Sequence, residues 1–410
     1  MSSSSWVEGA AGSPYDVDNL PYGVFSTADD GPEEARVGVR VGDFVLDLAP
    51  VGAADMLEVA HLFEQPSLDA FLAAGRPTWS AVRSWVSGLL TDAAHRDLVE
   101  PSLLPLADVR LHLPFTVADY VDFYCSLDHA SNVGKIFRPD GEALLPNWRH
   151  LPVGYHGRAG TVVVSGTDVV RPCGQRLVAT SSTNGQPEYG ASRRLDIEAE
   201  VGFVVGTPTA LGDRVATGDF ADHVFGVTLL NDWSARDIQA WEYVPLGPFL
   251  GKSFATSVSA WVTPLEALGS AWTDLPGQDP APLDYLAVQQ PAGLDLALEV
   301  ELDGEVVARP PYASMYWSPQ QMLAHLTVNG ASLRTGDLFA SGTVSGPERD
   351  QHGSLLELSW GGSEPFTAGG RKRTFLEDGD EVVLRATAPG ALGGRIALGE
   401  VRGTVREARE

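Results

Sequence analysis

Glycine and proline divide most of this chain into short segments, and this division limits what the chain can fold into. Its 410 residues include 44 glycines and 28 prolines. From about residue 116 onward, short apolar runs alternate with turns that contain these two residues, a pattern typical of strands joined by tight connections. We expect strands at 161–165, 195–205, 224–230, 296–302, 354–360 and 381–386. The larger part of the chain is therefore predicted to be mostly β, with few helices.

The first 115 residues follow a different pattern. Residues 36–48 alternate apolar and polar side chains around Gly42-Asp43, which predicts a β-hairpin. Ser67 and Thr78 can each cap a short helix that follows. Residues 101–105 and 113–115 are rich in proline and resemble a linker. We therefore expect two domains, 1–115 and 116–410.

The charge balance excludes several classes of partner. There are 54 acidic residues against 28 Lys and Arg, a formal charge of −26, which disfavours nucleic acids and anionic membrane surfaces. Mean hydropathy is −0.04, and no apolar run approaches the ~18 residues of a membrane span. P-loop and GxGxxG motifs are absent from the sequence. With two cysteines and no signal-like start, we expect a reduced, cytoplasmic protein without nucleic-acid or membrane partners.

Three acidic residues share one face of the strand expected at 195–205. Asp196, Glu198 and Glu200 alternate with apolar side chains, so they point to the same side of a sheet. On the strand pattern alone, a solvent-facing acidic surface is the simpler interpretation. The alternative is that Glu198 and Glu200 converge on a divalent cation, since hard cations prefer carboxylate oxygens.

Two further acids lie beside aromatic residues. Asp122 follows Tyr120 in the sequence, and Asp232 directly follows the apolar run at 224–230 and Asn231. Asp232 has two interpretations: a metal ligand at a strand end, or a helix cap, because Ser234 and Asp237 have the spacing of a capping box.

His129 and His156 are the candidate general bases, since the imidazole group exchanges protons near neutral pH. His129 lies seven positions after Asp122 in a polar, turn-prone stretch. For a single histidine the simpler interpretation is a structural or surface role. Glu357 interrupts the apolar residues of the strand expected at 354–360, where it would lie on the polar face.

At these residues the sequence resembles the fumarylacetoacetate hydrolase superfamily. The segments DIEAE (196–200), NDWSARDIQ (231–239) and RTGDLFASGT (334–343) are similar to those of the superfamily in general. The segments DFYCSLDHASNVG (122–134), LLPNW (144–148), LPVGYHGR (151–158) and WEYVPLGPFLGKS (241–253) resemble the branch that cleaves fumarylacetoacetate. Residues 19–26 also match, so the resemblance covers nearly the whole chain.

The resemblance implies a mostly β (α+β) fold with a small N-terminal SH3-like β-barrel domain and a C-terminal β-roll catalytic domain. It also implies a homodimer that binds Mg²⁺ and/or Ca²⁺. The implied reaction is hydrolysis of a carbon–carbon bond in the β-diketone 4-fumarylacetoacetate, which yields fumarate and acetoacetate. This reaction is the last step of tyrosine and phenylalanine breakdown.

Carried over to this sequence, the resemblance implies three groups of site residues. The general base is His129, oriented by Glu357, with Arg236, Gln239 and Lys252 stabilising an oxyanion. The implied substrate contacts are Tyr124, Arg138, Tyr155, Gln239, Tyr243 and Thr343. The implied metal site comprises Asp122, Glu198, Glu200, Asp232, Lys252 and Thr256.

Two other functions remain open at this point. One is a different activity of the same superfamily, such as acylpyruvate hydrolysis or oxaloacetate decarboxylation. The other is a non-catalytic β interaction module stabilised by Ca²⁺. The module would explain the acids and the strands, but it gives no reason for His129 together with Arg236, Gln239 and Lys252.

Overall fold

The computed structural model describes residues 4–27, 31, 34–177 and 185–409. Strands dominate this part of the chain, as expected. The N-terminal strands are β1 (Tyr22–Thr27), β2 (Arg36–Val41), β3 (Phe44–Asp47), β4 (Leu103–Pro105) and β5 (Val109–His112). The N-terminal helices are α1 (Leu48–Ala54), α2 (Asp69–Ala73), α3 (Arg76–Thr91) and α4 (Arg96–Val99).

The C-terminal part contains many short strands and few helices. Its strands are β6 (Tyr120–Phe123), β7 (Gly154–His156), β8 (Val162–Val164), β9 (Val169–Val170), β10 (Cys173–Leu177), β11 (Pro187–Ala191), β12 (Leu195–Asp196), β13 (Ala199–Val205), β14 (Val224–Asp232), β15 (Ser234–Ala235), β16 (Thr256–Val258), β17 (Trp261–Pro264), β18 (Trp272–Thr273), β19 (Gly293–Leu294), β20 (Ala297–Leu302), β21 (Glu305–Ala308), β22 (Leu338–Ala340), β23 (Phe366–Ala368), β24 (Arg371–Arg373), β25 (Glu381–Pro389), β26 (Arg395–Ala397) and β27 (Val401–Arg406). Its helices are α5 (Leu127–Phe137), α6 (Phe220–His223), α7 (Arg236–Glu242), α8 (Pro319–Thr327) and α9 (Leu355–Leu358).

The N-terminal strands form an antiparallel sheet in the order β5-β1-β2-β3-β4. The predicted hairpin is confirmed: β2 and β3 pair with Arg40 opposite Val45, and Gly42 in the turn has φ of 56°. The linker expected at 101–105 is wrong, because Leu104 pairs with Val45 and makes β4 an edge strand. Proline is tolerated at such an edge, where a ladder N–H is not required.

The helix cap expected at Thr78 is wrong, and the cap expected at Ser67 is displaced by one residue. Helix α3 begins at Arg76, two residues before Thr78, and Gly75 (φ 81°) precedes it. Pro77 lies in the first turn, where its missing N–H is not needed, so the helix starts earlier than the Thr78 pattern indicates. Helix α2 begins after Leu68, although the Ser67 hydroxyl does accept from the Asp69 N–H at 3.1 Å.

One large sheet continues from the N-terminal part into the C-terminal part. Strand β1 pairs with β17, placing Tyr22 opposite Val262, and the order continues β17-β14-β13-β22-β6-β7. A second sheet has the order β21-β20-β25-β27-β9. The predicted fold class is confirmed: a mostly β chain with a smaller N-terminal and a larger C-terminal part. The division at residue 115 stays a prediction.

Two strand predictions need correction. The strand expected at 195–205 is broken into β12 and β13, with Ile197 and Glu198 between them. The strand expected at 354–360 is instead helix α9, whose first turn is capped by Ser354. Its period-2 pattern spans too few residues to distinguish a strand from one helical turn. No helix in the described ranges is long and apolar enough to cross a membrane.

Candidate active site

Four acidic side chains of the large sheet meet at one place. Asp122 is on β6, Glu198 immediately precedes β13, Glu200 is on β13, and Asp232 ends β14. One carboxylate oxygen of each lies within 4.8 Å of the others. All four residues are at most 5% exposed, so the solvent-facing interpretation of the acidic strand is wrong. Neighbouring strands and loops cover this face.

This donor set fits a divalent cation. Both carboxylate oxygens of Glu200 and Oδ1 of Asp122 are buried and have no hydrogen-bond partner in the described part of the chain. A buried carboxylate without a partner is costly. A hard cation such as Mg²⁺ or Ca²⁺ would satisfy these oxygens, since it prefers carboxylate ligands.

The electrostatics of the cluster also favour a cation. Burial raises the pKa of Glu200 well above its usual value, and the nearby Asp122 and Glu198 raise it further. Burial and Asp232 raise the pKa of Asp122 in the same way. Lys252 lowers both pKa values, but it does not offset burial and the neighbouring acids at these two carboxylates.

Two cations of the chain neutralise the other part of the cluster. Lys252 Nζ donates to Glu198 Oε2 and, at 2.7 Å, to Asp232 Oδ2. Arg236 Nη2 donates to Glu198 Oε1 at 2.8 Å. Burial alone would raise the pKa of Glu198, but Lys252 and Arg236 lower it below its usual range. The hydroxyl of Thr256 donates to Asp232 Oδ1 at 3.0 Å.

Asp196 has a structural role and does not lie with Glu198 and Glu200 on one strand face, as the sequence pattern indicated. It accepts from Arg236 Nε at 2.8 Å and from the backbone N–H groups of Leu355 and Leu356 at 2.7 and 3.0 Å. It therefore joins the arginine to the first turn of α9. The break at Ile197 separates Asp196 from the acidic cluster.

His129 and Glu357 form a buried hydrogen-bonded pair. His129 lies in the first turn of α5, and its Nδ1 is 2.7 Å from Glu357 Oε2 on α9. The hydroxyls of Ser345 and Ser354 donate to the same oxygen at 2.9 and 2.8 Å. Burial alone would raise the pKa of Glu357, but His129 lowers it to about 2. The carboxylate is therefore ionised and orients the imidazole.

The other nitrogen of His129 faces the acidic cluster. Its Nε2 is 3.7 Å from Glu198 Oε1. The ring of Tyr124 packs edge-on against the imidazole, with centroids 5.3 Å apart. By contrast, His156 is exposed and does not line the cavity that His129 faces. The structure therefore separates the two histidine candidates.

A cavity of about 410 Å³ opens above these groups. All six side chains expected to contact substrate line it: Tyr124, Arg138, Tyr155, Gln239, Tyr243 and Thr343. His129, Asp122, Glu198, Arg236 and Lys252 line it as well, whereas Glu200, Asp232, Thr256 and Glu357 do not.

The polar groups of the cavity differ in how many hydrogen bonds they already form within the protein. Thr343 Oγ1 is buried without a hydrogen-bond partner in the described ranges. Tyr155 donates to Asp232 Oδ2 at 3.2 Å, and Arg138 donates to the Ala143 carbonyl at 2.9 Å. Gln239 Oε1 accepts from Arg236 Nη1 at 3.2 Å, which leaves its amide N–H groups for a ligand.

The helix-cap interpretation of Asp232 is wrong. Asp232 is the last residue of β14, and α7 begins only at Arg236. Ser234 donates to the Asp232 carbonyl, and Asp237 accepts from Ser192, so the spaced pair forms no capping box. Sequence reasoning also missed the serines that hold Glu357. The one sequence feature that could have indicated them is Ser354 as a helix-capping residue.

The fold and this site together define an enzyme: a buried base with its orienting carboxylate beside a candidate cation site, all at one cavity. Two family models match the chain, "Fumarylacetoacetase N-terminal" over residues 18–114 and "Fumarylacetoacetate (FAA) hydrolase C-terminal" over residues 119–406. The chain therefore belongs to the fumarylacetoacetase family.

Full-length relatives agree with the family models. The chain is 45% identical to the fumarylacetoacetase of Rattus norvegicus, covering 98% of both chains. It is 44% identical to that of Oryza sativa, covering 98% of this chain and 96% of the relative. Among solved structures, a fumarylacetoacetate hydrolase from Exiguobacterium antarcticum aligns with a TM-score of 0.56 at 18% identity, covering 95% of this chain and all of that one. That structure supports the fold.

Proposed function

We propose that this protein hydrolyses 4-fumarylacetoacetate to fumarate and acetoacetate, the last step of tyrosine and phenylalanine breakdown. The observation that carries this proposal is the His129–Glu357 pair, with His129 lining the cavity beside four buried carboxylates. Relatives that carry the fumarylacetoacetase name over their full length support the substrate.

His129 is the proposed general base. Because Glu357 holds Nδ1, Nε2 is free to take a proton from water in the cavity. The resulting hydroxide attacks a ketone carbon of the diketone, and a tetrahedral oxyanion forms. When the carbon–carbon bond breaks, the electron pair leaves with acetoacetate, and the proton on His129 returns to that carbon. Glu357 stabilises the imidazolium during this interval.

Lys252, Arg236 and Gln239 are the proposed oxyanion donors. Lys252 has three N–H donors, and two of them contact Glu198 and Asp232. Each of these three side chains therefore retains at least one N–H for the oxyanion. One such donor is typically worth about 3 kcal/mol of transition-state stabilisation. The ion pairs that Lys252 and Arg236 form with carboxylates also hold these two donors in position before the substrate binds.

Arg138 is the proposed partner of a substrate carboxylate, because its guanidinium lines the cavity and can form a bidentate pair. Tyr124 serves as a neutral donor, since burial raises the pKa of its hydroxyl. Thr343 offers a hydroxyl that has no partner within the described ranges, and Tyr243, which is 39% exposed, lies at the mouth. These cationic and neutral donors let an acidic protein bind an anion.

Asp122, Glu198, Glu200 and Asp232 are proposed to hold a Mg²⁺ or Ca²⁺ ion, with Lys252 and Thr256 beside it. When bound, the ion supplies Lewis-acid stabilisation to the diketone oxygens. The acids of this chain position the site, and Lys252 and Arg236 limit the repulsion between them.

The direct test is the loss of the ultraviolet diketone absorbance of fumarylacetoacetate. We expect rapid loss with the purified protein, no loss after EDTA treatment, and recovery when Mg²⁺ or Ca²⁺ is restored. A folded, metal-replete protein that leaves the absorbance unchanged would contradict the proposed substrate. Acylpyruvates and oxaloacetate, assayed in parallel, test the alternative activities of the superfamily. Family membership already favours an enzyme over the non-catalytic module.

We also propose that the protein forms a homodimer and acts in the cytoplasm. Residues 241–250, which comprise the end of α7 and the segment after it, expose a run of apolar side chains: Trp241, Tyr243, Val244, Leu246, Phe249 and Leu250. Exposed apolar patches of this kind mark contact surfaces. Sedimentation should give a dimer that Phe249→Glu weakens. A monomer at micromolar concentration would contradict the pairing. Free Cys125 and Cys173 are compatible with a reducing compartment.

A further inference from the structure

The Glu357 carboxylate is held asymmetrically by its neighbours. Oε2 accepts from His129, Ser345 and Ser354. Oε1 accepts from Asn132 Nδ2 at 3.0 Å, and the described part of the chain gives it no other donor. Rotation of the carboxylate would move Oε2 away from His129 Nδ1. The Asn132 amide is therefore the group that opposes this rotation from the other side.

Asn132 and His129 share one face of α5. They are three residues apart, which places both side chains on the helix face that meets α9. The same helix thus presents the base and a second donor to the two oxygens of one carboxylate. Asn132 does not line the cavity, so it cannot touch a substrate bound there.

His352 contacts the Asn132 amide, which Glu357 already holds, and restrains it further. Its Nε2 is 3.3 Å from Asn132 Nδ2, and the side chain is 7% exposed. Nδ2 must be the amide end that faces Glu357, because Oδ1 would be repelled by the ionised oxygen. The second N–H of Nδ2 then points to His352 Nε2, which must act as an acceptor. A flipped amide would lose the hydrogen bond to Glu357 and, with no proton on His352 Nε2, the one to His352 as well.

We propose that Asn132 and His352 are positioning residues for the reaction: Asn132 locks the Glu357 carboxylate, and His352 locks Asn132. This proposal rests on the proposed function only where turnover is measured. The chain of contacts runs from His352 through Asn132 and Glu357 to His129. The reaction needs His129 Nε2 at a fixed place in the cavity, and each contact in this chain limits the rotation of the next side chain.

The first test is a split between kcat and KM. Asn132→Ala should lower kcat by about 10- to 100-fold, the usual effect of losing a partner that orients an active-site ligand. KM for fumarylacetoacetate should stay within about twofold of wild type, because Asn132 does not contact the cavity. Ser131→Ala is the matched control on the same helix and should leave both constants unchanged. A wild-type kcat in Asn132→Ala would overturn the proposal.

The second test separates an acceptor from a space-filling side chain at position 352. His352→Gln keeps an acceptor atom near the position of Nε2, and should retain kcat. His352→Phe keeps the volume but removes the acceptor, and should lower kcat several-fold at constant KM. Equal kcat values for the two variants would contradict the role of His352. This pair also remains informative if Asn132→Ala fails to fold.

A readout without substrate separates this proposal from the proposed function. The Nδ1–H proton of His129 in its bond to Glu357 should give a low-field ¹H NMR signal in protein labelled with ¹⁵N-histidine. We expect Ser131→Ala and His352→Gln to keep this signal, and Asn132→Ala and His352→Phe to shift it upfield or broaden it. An unchanged signal in Asn132→Ala would overturn the positioning role even if wild type cleaves fumarylacetoacetate. An inactive wild type with the expected signals would instead contradict the function.

Discussion

At the scale of single residues, the ionised state of Glu357 is the feature with the clearest energetic consequence. Burial alone would raise its pKa, but His129, with a further contribution from the Asn132 hydrogen bond, lowers it to about 2, against about 4.3 in an unfolded chain. A carboxyl group whose pKa is lowered by folding stabilises the folded state at pH values above its pKa in the unfolded chain. This stabilisation disappears as pH falls from about 4.3 to about 2.

Glu357→Gln should therefore lower the free energy of unfolding by about 3 kcal/mol at pH 7. The difference between wild type and variant should shrink as pH falls below about 4. Urea unfolding of metal-free protein between pH 3 and pH 7 measures both. A difference that stays constant over this range, or grows toward acid pH, would contradict the assigned ionisation.

Substitution of Glu200 should have the opposite effect on the free energy of unfolding in metal-free protein. The two oxygens of Glu200 are buried and have no hydrogen-bond partner among the residues that the structure describes, and burial with nearby acids raises its pKa. Glu200→Gln should leave the metal-free protein at least as stable as wild type. The same variant should lose the stabilisation that a divalent ion gives, about 2.7 kcal/mol at 100 times the Kd. Thermal unfolding with EDTA or Mg²⁺, and calorimetric titration, measure the two effects. A variant that binds Mg²⁺ with wild-type affinity would contradict the ligand assignment.

At the scale of elements, the one-turn helix α9 carries Glu357 into the site. Ser354 caps this helix, because its Oγ accepts from the Glu357 N–H at 3.3 Å, and it also donates to the Glu357 carboxylate. Ser318 caps α8 in a capping box with Gln321, and neither residue lines the cavity. The two serines thus have the same local role but different distances from the chemistry.

Ser354→Ala and Ser318→Ala should each lower stability by about 1 kcal/mol, the typical cost of a lost helix cap. Ser354→Ala should also lower kcat by about tenfold, because Glu357 loses a donor. Ser318→Ala should leave kcat unchanged. Urea unfolding and the diketone assay together make this comparison. An equal fall of kcat in both variants would show that the effect is global rather than local.

The elements also show what the sequence could and could not predict. The hairpin at Gly42 and most of the C-terminal strands follow from periodicity and turn residues. The helix around Glu357 could not be predicted in this way, because a run of a few apolar residues does not distinguish one turn of helix from a short strand. The acids at 198, 200 and 232 could be identified from the sequence as candidate metal ligands. Their burial could not be predicted, since an alternating strand does not reveal which of its faces another part of the fold covers.

At the scale of the whole molecule, the N-terminal and C-terminal parts share one sheet and one core. Tyr22 and Gly23 of β1 pair with Val262 and Trp261 of β17. One buried apolar cluster contains Val24 and Phe71 together with Phe225 and other side chains of the C-terminal part. The chain should therefore unfold as one cooperative unit.

A single calorimetric transition is the expected result. Gly23→Val should lower its temperature without splitting it, because a Cβ at Gly23 would lie 2.6 Å from Trp261 Cε3. Gly88→Ala is the control: Gly88 is exposed in α3 with open space around it, so alanine should stabilise the helix by about 0.5–1 kcal/mol. Two separate transitions in the wild-type protein would contradict the shared core.

The central claim is that His129, oriented by Glu357, is the base that activates water at this cavity. The most direct test compares His129→Ala with His156→Ala in the diketone absorbance assay, with circular dichroism to confirm folding. We predict that His129→Ala lowers kcat by at least about 100-fold, in the range for loss of a general base. The exposed His156→Ala variant should keep wild-type turnover. Near-normal turnover in folded His129→Ala would contradict the claim.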